Sequence, residues 1–358
     1  MSNTFLQNLV NLLNEKNVSD VHITSHLPMW VRRAGDMEVV SGEAGMANSV
    51  ELLSWLKSIR YSNASVLEAI AARGGQDDFA ANLGDIRIRI HCWVSVGALN
   101  VAVRKLATDI PKLESLGLPK GVSDLLSYPS GLILVVGATG SGKSTTLAAC
   151  VDQLNMATKG HIITLEDPIE YVHHDKACRV RQRQISEQSD CVNFSSGVTA
   201  AMREDPDIIM VGEVRDQQTM QACLNAAQTG HLVLATLHTN SSVETIERVL
   251  AFYPEKEREL ARSVLAATLR GVIAQRLVKT MAGSRTLAAE LMICNTAIRA
   301  NIAQNQIVAI EQSMESGRSE GQVTMNYCLQ CLYENGVISR DVALSSSNRR
   351  DILEKRIR

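Results

Sequence analysis

The stretch that decides the fold reads Gly137-Ala138-Thr139-Gly140-Ser141-Gly142-Lys143-Ser144. It fits the phosphate-loop pattern G-x-x-x-x-G-K-[ST], in which backbone N–H groups cradle phosphates. The apolar run Leu132–Val136 precedes it and predicts a buried strand, and the helix-compatible segment 145–149 follows it. A strand that feeds a glycine turn into a helix N-terminus gathers N–H donors and the positive end of the helix dipole at one place. The sequence therefore predicts a nucleoside triphosphate site.

Within this pattern, Lys143 is expected to reach the β- and γ-phosphates, and the Ser144 hydroxyl is expected to hold Mg²⁺. ATP and Mg²⁺ are the ligands that this chemistry implies. The candidate nucleotide-binding residues form one continuous run: Gly137, Ala138, Thr139, Gly140, Ser141, Gly142, Lys143, Ser144 and Thr145.

Length and composition describe an ordinary globular protein of two or more domains. The chain has 358 residues, of which 45% are hydrophobic and 21% charged, and its formal net charge is -2. That balance offers no electrostatic basis for binding nucleic acid, so no direct nucleic-acid partner is expected. The first ten residues lack the basic segment and long apolar core of a signal peptide and instead indicate an amphipathic helix. Eight scattered cysteines fit a reducing compartment, and the predicted location is cytoplasmic.

The first 105 residues or so predict a small mixed domain. Its segment Ile86–Ile90 alternates with period two, as a half-buried antiparallel strand does, and Asn100–Arg104 is expected to be its partner. The prolines Pro111, Pro119 and Pro129 then indicate a connector. The further predicted elements of this domain are strands at 20–24, 29–32 and 37–40 and helices at 50–56 and 65–70.

From residue 131 the pattern changes to an α/β domain with a mostly parallel sheet, whose functional loops follow the strands. Beyond residue 242 the pattern is interpreted as helical, with an apolar stripe that indicates a core-facing helix. The predicted strands are Leu132–Val136, His161–Leu165, Asp207–Val211 and His231–Ala235. The stripe consists of Leu260, Val264, Leu265, Leu269, Val272, Ile273 and Leu277.

Carboxylates follow two of these strands. Glu213 comes after the buried strand 208–211 and a glycine, which is where a phosphate-loop protein needs an acidic residue on the side of the metal. Glu166, Asp167 and Glu170 follow the strand His161–Leu165, and one of them is expected to orient or deprotonate the attacking water.

Histidine and arginine candidates complete the predicted site. His238 ends a strand beside two threonines and is expected to sense the γ-phosphate, while Arg203, Arg215 and Arg104 are candidates to meet charge on a phosphoryl group. The alternating Arg179–Arg183 predicts an exposed edge strand or a subunit contact. A single C-x-x-C, formed by Cys328 and Cys331, is interpreted as core packing rather than a zinc or redox site, because no second ligand pair is near it in sequence.

Together these motifs resemble those of the type II and type IV secretion ATPases, and most of all the PilT-like pilus retraction ATPases. The resemblance covers nearly the whole chain. Residues 137–144 are similar to the family's Walker A loop and 163–171 to its aspartate box. Residues 201–216 are similar to its Walker B region and 229–240 to its histidine box.

The resemblance implies a RecA-like ATPase core (131–280), a smaller N-terminal PAS-like α+β domain (1–106), a connector (107–130) and a helical C-terminal region (281–358). It also implies a catalytic base at Glu170, a Walker B glutamate at Glu213 that helps to hold the metal, and nucleotide contacts from Arg104, Arg203 and Arg215. The family works as a homo-hexameric ring on a platform protein at the bacterial inner membrane, so peripheral membrane association through partners is expected.

Two departures from the family pattern keep the task open. Residues 297–304 resemble the A-I-R-N-L-I-R-E stretch linked to retraction but lack its second arginine and final glutamate, and Val96-Gly97-Ala98 replaces the usual Asn-Arg-Gly. The family's assembly ATPases carry an extra N-terminal domain and a four-cysteine zinc module, and their lack here favours the PilT-like branch. The leading hypothesis is a pilus retraction motor. The alternatives are an ATPase of a conjugative, type IVB or type II-like secretion system, and a non-catalytic ATP-binding accessory subunit.

Overall fold

Two β-sheets organise the described part of the chain, one in each of two compact units. The computed structural model describes residues 4–40, 46–60, 65–186 and 189–357. One unit comprises residues 1–109, 166–172 and 183–192, and the other comprises 110–165, 173–182 and 193–358. The predicted N-terminal helix is present as α1 (Thr4–Asn14), although its first predicted residues, 1–3, lie outside the described residues. The predicted domain boundaries at 106, 130 and 280 stay predictions.

The first sheet has six antiparallel strands in the order β3-β2-β1-β6-β5-β4. These strands are β1 (Val18–Thr24), β2 (Trp30–Arg33), β3 (Asp36–Val39), β4 (Gln76–Leu83), β5 (Ile86–Ser95) and β6 (Ala98–Lys105). Sequence patterns predicted all of them except β4. The helices α2 (Ser49–Ile59) and α3 (Ser65–Arg73) join α1 in this unit.

Alternation along β5 explains how this sheet builds a core on one side. Ile86, Ile88 and Ile90 are buried in an apolar cluster that also contains Leu52 and Leu56 of α2. A capping box fixes the start of α2, since the Asn48 side chain accepts from the Glu51 N–H and the Glu51 carboxylate accepts from the Asn48 N–H. One face of the sheet therefore holds the helices, and the polar residues of β5 occupy the other.

The second sheet has seven strands in the order β13-β12-β7-β11-β10-β8-β9. They are β7 (Gly131–Val136), β8 (His161–Glu166), β9 (Arg179–Gln184), β10 (Ile208–Val211), β11 (Leu232–Leu237), β12 (Leu269–Lys279) and β13 (Arg285–Ile293). Pairing is parallel from β12 through β7, β11 and β10 to β8, and β13 is antiparallel to β12. The mostly parallel sheet predicted from the sequence is confirmed, and β9 is its edge strand, as predicted.

Helices cover the second sheet, and its central strands are buried throughout. Every residue of β7 is buried, which is typical of a parallel strand with both faces covered. The predicted connector contributes Leu113, Val122 and Leu125 to this core. The helices of this unit are α4 (Gly121–Leu125), α5 (Lys143–Ala157), α6 (Phe194–Ala201), α7 (Gln217–Gln228), α8 (Ser242–Ala251), α9 (Arg258–Thr268), α10 (Thr296–Ala303), α11 (Ala309–Ser316), α12 (Met325–Glu334), α13 (Arg340–Ser345) and α14 (Arg350–Arg356).

The predicted helical stripe is wrong from Leu269 onward. Helix α9 ends at Thr268, and the stripe residues beyond it lie in β12, where a strand buried on both faces shows no simple alternation. Gly271 fits this crowded position because a Cβ there would lie 2.5 Å from Cδ1 of Leu125 and 2.8 Å from the carbonyl oxygen of Met292. Strand β13 corrects the helical prediction for 285–293 as well, and the C-terminal region is helical from Thr296 on.

The C-x-x-C lies on α12, where Cys328 and Cys331 are both half-buried. The Cys328 sulfur accepts a hydrogen bond from the backbone N–H of Ala289 at 3.4 Å and packs against a third apolar cluster, centred on residues such as Leu329. Cys328 thus contributes to core packing, as expected. Within the described ranges, no helix combines the length and the apolar character needed to cross a membrane.

Candidate nucleotide-binding site

The phosphate loop follows the last residue of β7 and leads directly into α5. Gly137 has a φ of +153°, and a Cβ at this position would lie 2.4 Å from the carbonyl oxygen of Gln275 and 2.5 Å from Oγ of Ser141. Gly142 is the N-cap of α5 with a φ of +91°, in the left-handed region. Both positions therefore require glycine, one because of space and the other because of backbone conformation.

Lys143 opens α5 and lies across the loop. Its Nζ donates to the carbonyl oxygens of Gly137, at 2.7 Å, and Ala138, at 3.1 Å. Burial lowers the pKa of this ammonium, while the negative charge of Glu213 opposes that shift. The side chain is thus held at the mouth of the loop, as the motif predicts.

The N-terminus of α5 adds further N–H donors beside the loop. A helix leaves its first N–H groups without intrahelical partners, and glycine at the N-cap has no side chain to satisfy them. Ser144 is exposed in this first turn, and Thr145 is half-buried beside it. The predicted binding residues therefore form one loop–helix junction of the kind that holds phosphate groups.

Glu213 lies at the carboxyl edge of the same sheet, one residue beyond Gly212 after β10. Its carboxylate contacts Nη2 of Arg215 at 2.6 Å and Nε2 of His238 at 3.1 Å. Burial raises the pKa of Glu213, but the hydrogen bond from Arg215 and the charges of Arg215, His238 and Lys143 outweigh it and leave the pKa below its usual value. Glu213 is therefore ionised at neutral pH.

Neighbouring strands hold Glu213 and His238 together. Strands β10 and β11 pair in parallel, and the Val214 N–H donates to the Thr236 carbonyl at 2.9 Å, while the Thr236 hydroxyl donates to the Gly212 carbonyl. A cavity of about 310 Å³ opens beside the two side chains. It is lined by Glu213, Arg215, His238, Thr239, Glu244 and Arg248. A carboxylate and the Ser144 hydroxyl are oxygen ligands that suit Mg²⁺.

Arg203 lies away from Glu213 and His238. It precedes β10 in an exposed turn, and the carbonyls of the next two residues, Glu204 and Asp205, contact Nδ1 of His161 at the start of β8. Arg203 is therefore at the amino edge of the sheet, whereas the phosphate loop of the same chain is at the carboxyl edge. The structure brings Arg215 and His238 to Glu213 but leaves Arg203 apart from them.

The remaining two candidates belong to the first unit. Arg104 on β6 is exposed, and its Nε donates to Oδ1 of Asp20 at 2.7 Å. The carboxylate of Glu170 lies 3.4 Å from Nη1 of Arg89, and Nη2 of Arg87 donates to the Ile169 carbonyl at 2.8 Å. Two arginines of β5 thus hold the Glu170 segment.

Sequence reasoning missed Arg89 and Gln275. The alternation Ile-Arg-Ile-Arg-Ile indicates only a half-buried strand, yet Arg89 also forms a fork-shaped ion pair with Asp78, whose oxygens lie 3.0 and 2.6 Å from its Nε and Nη2. The arginines that alternate with buried isoleucines are the available signal, because a planar guanidinium pairs well with a carboxylate through two hydrogen bonds. No sequence pattern indicates a functional role for Gln275, since it lies within a predicted helix.

Comparison with known proteins agrees with this geometry. The family model described as "Type II/IV secretion system protein" matches residues 4–350. The type IV pilus retractation ATPase PilT of Pseudomonas aeruginosa is 37% identical over 330 residues, which is 92% of this chain and 94% of that protein.

Solved structures give the same result. The pilus retraction motor PilT with bound ADP superimposes with a TM-score of 0.88 at 38% identity, covering 98% of both chains. The Legionella pneumophila ATPase DotB superimposes with a TM-score of 0.82 at 27% identity, covering 96% of this chain and 95% of that one. The fold is thus shared along nearly the full length of the chain. The chain belongs to the type II/IV secretion system protein family of ATPases, as the sequence motifs indicated.

Proposed function

We propose that this chain is the subunit of an ATPase motor that hydrolyses ATP to power retraction of a type IV pilus at the cytoplasmic face of the inner membrane. One observation carries the proposal. Lys143 lies across a complete phosphate loop beside an ionised Glu213, in a chain that is 37% identical to a pilus retractation ATPase over 92% of its length. This is the arrangement that nucleotide hydrolysis requires.

Each side chain has a role in this reaction. Lys143 and the N–H groups at the start of α5 bind the phosphates, and Ser144 and Glu213 would hold Mg²⁺. That ion would supply positive charge to stabilise the phosphoryl-transfer transition state. Glu170 is the general base that takes a proton from the attacking water. His238 and Arg215 contact the Glu213 carboxylate. They sense a bound γ-phosphate because they exchange the carboxylate for the phosphate as their anionic partner.

A homo-hexameric ring accounts for the placement of Arg203. This arginine is at the amino edge of the sheet and its own phosphate loop is at the carboxyl edge, so Arg203 meets a nucleotide only when a second copy brings its loop to that edge. The exposed Arg104 is the matching candidate from the first unit. An arginine supplied from another copy raises phosphoryl-transfer rates by about 10³–10⁵. Turnover should therefore rise steeply with ring assembly.

A secretion or conjugation task is the second candidate, favoured by the matching family model, whose description names secretion systems, and by α10. The retained members of the retraction-linked stretch hold the fold: Ile298 and Ile302 are buried, and Arg299 Nε donates to the Cys294 carbonyl at 3.0 Å. Four positions differ from that stretch: Ala300, Ala303 and Gln304 are exposed, and Asn301 is half-buried, with its Nδ2 donating to Oγ of Ser313 at 2.9 Å. Most of the difference from retraction motors thus lies on a surface, where partner proteins bind. A non-catalytic accessory subunit is the third candidate.

The catalytic part of the proposal is tested with Glu170→Gln. The purified variant should bind ATP as the wild type does while losing turnover, because an amide accepts no proton from water. Glu354→Gln, which changes an exposed carboxylate of α14, is the matched control and should keep full activity. An active Glu170→Gln variant would remove this residue as the base. A wild-type chain that binds ATP without turnover would favour the accessory subunit.

The cellular task is tested by deleting the gene in its host and imaging surface pili. Abundant pili that no longer shorten, restored by the wild-type gene but not by Glu170→Gln, would support retraction. Missing pili or lost substrate transfer would support the assembly and secretion alternative instead.

A further inference from the structure

A buried glutamine supports the phosphate loop from the neighbouring strand. Strand β12 pairs with β7 in parallel, with Ala274 opposite Val136, so Gln275 lies level with Gly137, the first residue of the loop. Only 2% of Gln275 is exposed. Its Nε2 donates to the carbonyl oxygen of Ser141 at 2.9 Å. The amide of Gln275 is therefore directed at the middle of the loop rather than at solvent.

Both the backbone and the side chain of Gln275 form the inner wall of the loop. Its carbonyl oxygen would lie 2.4 Å from a Cβ at Gly137, and its Nε2 would lie 3.3 Å from a Cβ at Gly142. Two glycines of the motif thus lie so close to Gln275 that a Cβ at either position would crowd it. Gln275 therefore limits the space that the residues of the loop can occupy.

The hydrogen bond to Ser141 also sets the direction of a phosphate-binding donor. The C=O of Ser141 and the N–H of Gly142 belong to one planar trans peptide unit, in which the two groups point in opposite directions. Because Nε2 of Gln275 holds the C=O toward β12, the N–H of Gly142 is held away from β12. This N–H belongs to the turn that precedes α5, where the phosphate-loop pattern uses backbone N–H groups as anion donors.

If only packing mattered at this position, a buried glutamine would be less favourable for stability than an apolar side chain. Across the described residues, Oε1 of Gln275 has no hydrogen-bond partner, and neither has the buried Oγ of Ser141 beside it. An unsatisfied buried acceptor costs about 1–3 kcal/mol, which a leucine or methionine would avoid. The amide at this position is therefore explained by its donor, Nε2, and not by the stability of the strand.

We propose that Gln275 is a positioning residue that fixes the Ser141–Gly142 peptide so that the loop presents its N–H groups to the phosphates. The proposal rests on the proposed nucleotide-binding function and adds to it a residue outside the four sequence motifs. Gln275 acts on the nucleotide through the loop. Its loss should weaken nucleotide binding more than it destabilises the fold.

The test compares two buried glutamines. Gln322 is 1% exposed, and its side-chain amide donates to the Ile293 carbonyl at 2.7 Å and accepts from the Ile293 N–H at 2.8 Å, at the end of β13. Gln275→Met and Gln322→Met both remove buried hydrogen bonds of similar chemistry. The dissociation constant for ADP and the melting temperature of the nucleotide-free protein are measured for each variant, in the full chain.

Gln275→Met should raise the dissociation constant for ADP about tenfold, which corresponds to one lost hydrogen bond. Gln322→Met should lower the melting temperature at least as much while leaving ADP affinity unchanged. Equal affinity losses in the two variants, or wild-type affinity in Gln275→Met, would overturn the positioning role. A wild-type chain that binds no ADP would instead overturn the proposed function itself.

A second variant keeps the test informative if Gln275→Met does not fold. Gln275→Asn retains the amide but is one methylene shorter, so its donor falls short of the Ser141 carbonyl. We expect the same loss of ADP affinity from this variant. Wild-type affinity in Gln275→Asn would show that the reach of the donor is irrelevant and would overturn the proposal.

Discussion

The two sheets place their charged side chains differently. In the antiparallel sheet, charges lie along the strands: Arg89 of β5 alternates with the buried Ile88 and Ile90. In the parallel sheet, β7 and β10 are buried along their whole length, and the chemistry begins beyond their last residues, with Lys143 after β7 and Glu213 after β10. The first sheet thus carries charged side chains on one face, and the second carries them beyond the ends of its strands.

Burial explains this difference. An antiparallel sheet with helices on one side leaves its other face for polar residues, whereas a parallel sheet covered on both sides leaves only its strand ends. Side chains at the strand ends are supported by the rigid sheet and are still accessible to a ligand. We therefore expect removal of a charge at the edge of the parallel sheet to affect turnover, and removal of a charge from a buried ion pair of the antiparallel sheet to affect stability.

The largest effect on turnover is expected at the strand edge, from Lys143→Ala. Loss of the ammonium that lies across Gly137 and Ala138 should lower ATP turnover at least about 100-fold, the usual cost of removing one group that stabilises transition-state charge. Steady-state phosphate release measures it. Lys159→Ala, which changes an exposed lysine just beyond α5, should retain wild-type turnover. Undiminished turnover in Lys143→Ala would show that this residue at the strand edge is not needed for ATP hydrolysis.

The next effect is expected inside the antiparallel sheet, from Asp77→Ala on β4. Asp77 and Arg60 form a buried ion pair, in which Oδ2 and Nε lie 2.6 Å apart and the side chains are 8% and 1% exposed. Removing the carboxylate leaves a buried positive charge, which costs about 3–5 kcal/mol of unfolding free energy. Urea denaturation followed by circular dichroism measures this loss.

Glu38→Ala is the control for this variant, because it removes a carboxylate paired with Arg33 at the exposed edge of the same sheet. Its cost should stay below about 1 kcal/mol, as for other exposed pairs. The folded fraction of Asp77→Ala should keep its turnover per molecule. Reduced turnover with unchanged stability would show that the buried Arg60–Asp77 pair serves catalysis instead.

The strand edge was the part of the site that the sequence could predict. Glycine spacing, an apolar run before it and a lysine after it together specify a loop at the end of a buried strand, and the structure places Lys143 and Ser144 there. Glu213 and His238 were found by the same logic, since each follows an apolar run. Local sequence is therefore sufficient to predict a candidate site residue that comes directly after a buried strand.

Residues that act from a neighbouring element could not be predicted in this way. Gln275 meets Ser141 only because β12 pairs with β7, and that pairing joins segments 134 residues apart. The apolar pattern of β12 fits a helix as well as a strand buried on both faces, so the segment was misassigned. Arg89 was visible as an alternating arginine, but its partners, Asp78 and Glu170, depend on the hairpin and on a segment 81 residues away.

The smallest effect concerns a second carboxylate at the parallel sheet's edge. Asp216 lies three residues after Glu213, but its Oδ1 accepts from the Thr219 N–H at 2.8 Å and caps α7. Asp216→Ala should cost about 1 kcal/mol of stability, and turnover should stay within about twofold of the wild type. Asp216→Asn, which keeps the capping oxygen without the charge, should restore the stability. If Asp216→Asn instead lost turnover at wild-type stability, the charge at Asp216 would belong to the site. In that case every carboxylate at this edge, and not only Glu213, would have to be counted as part of the chemistry.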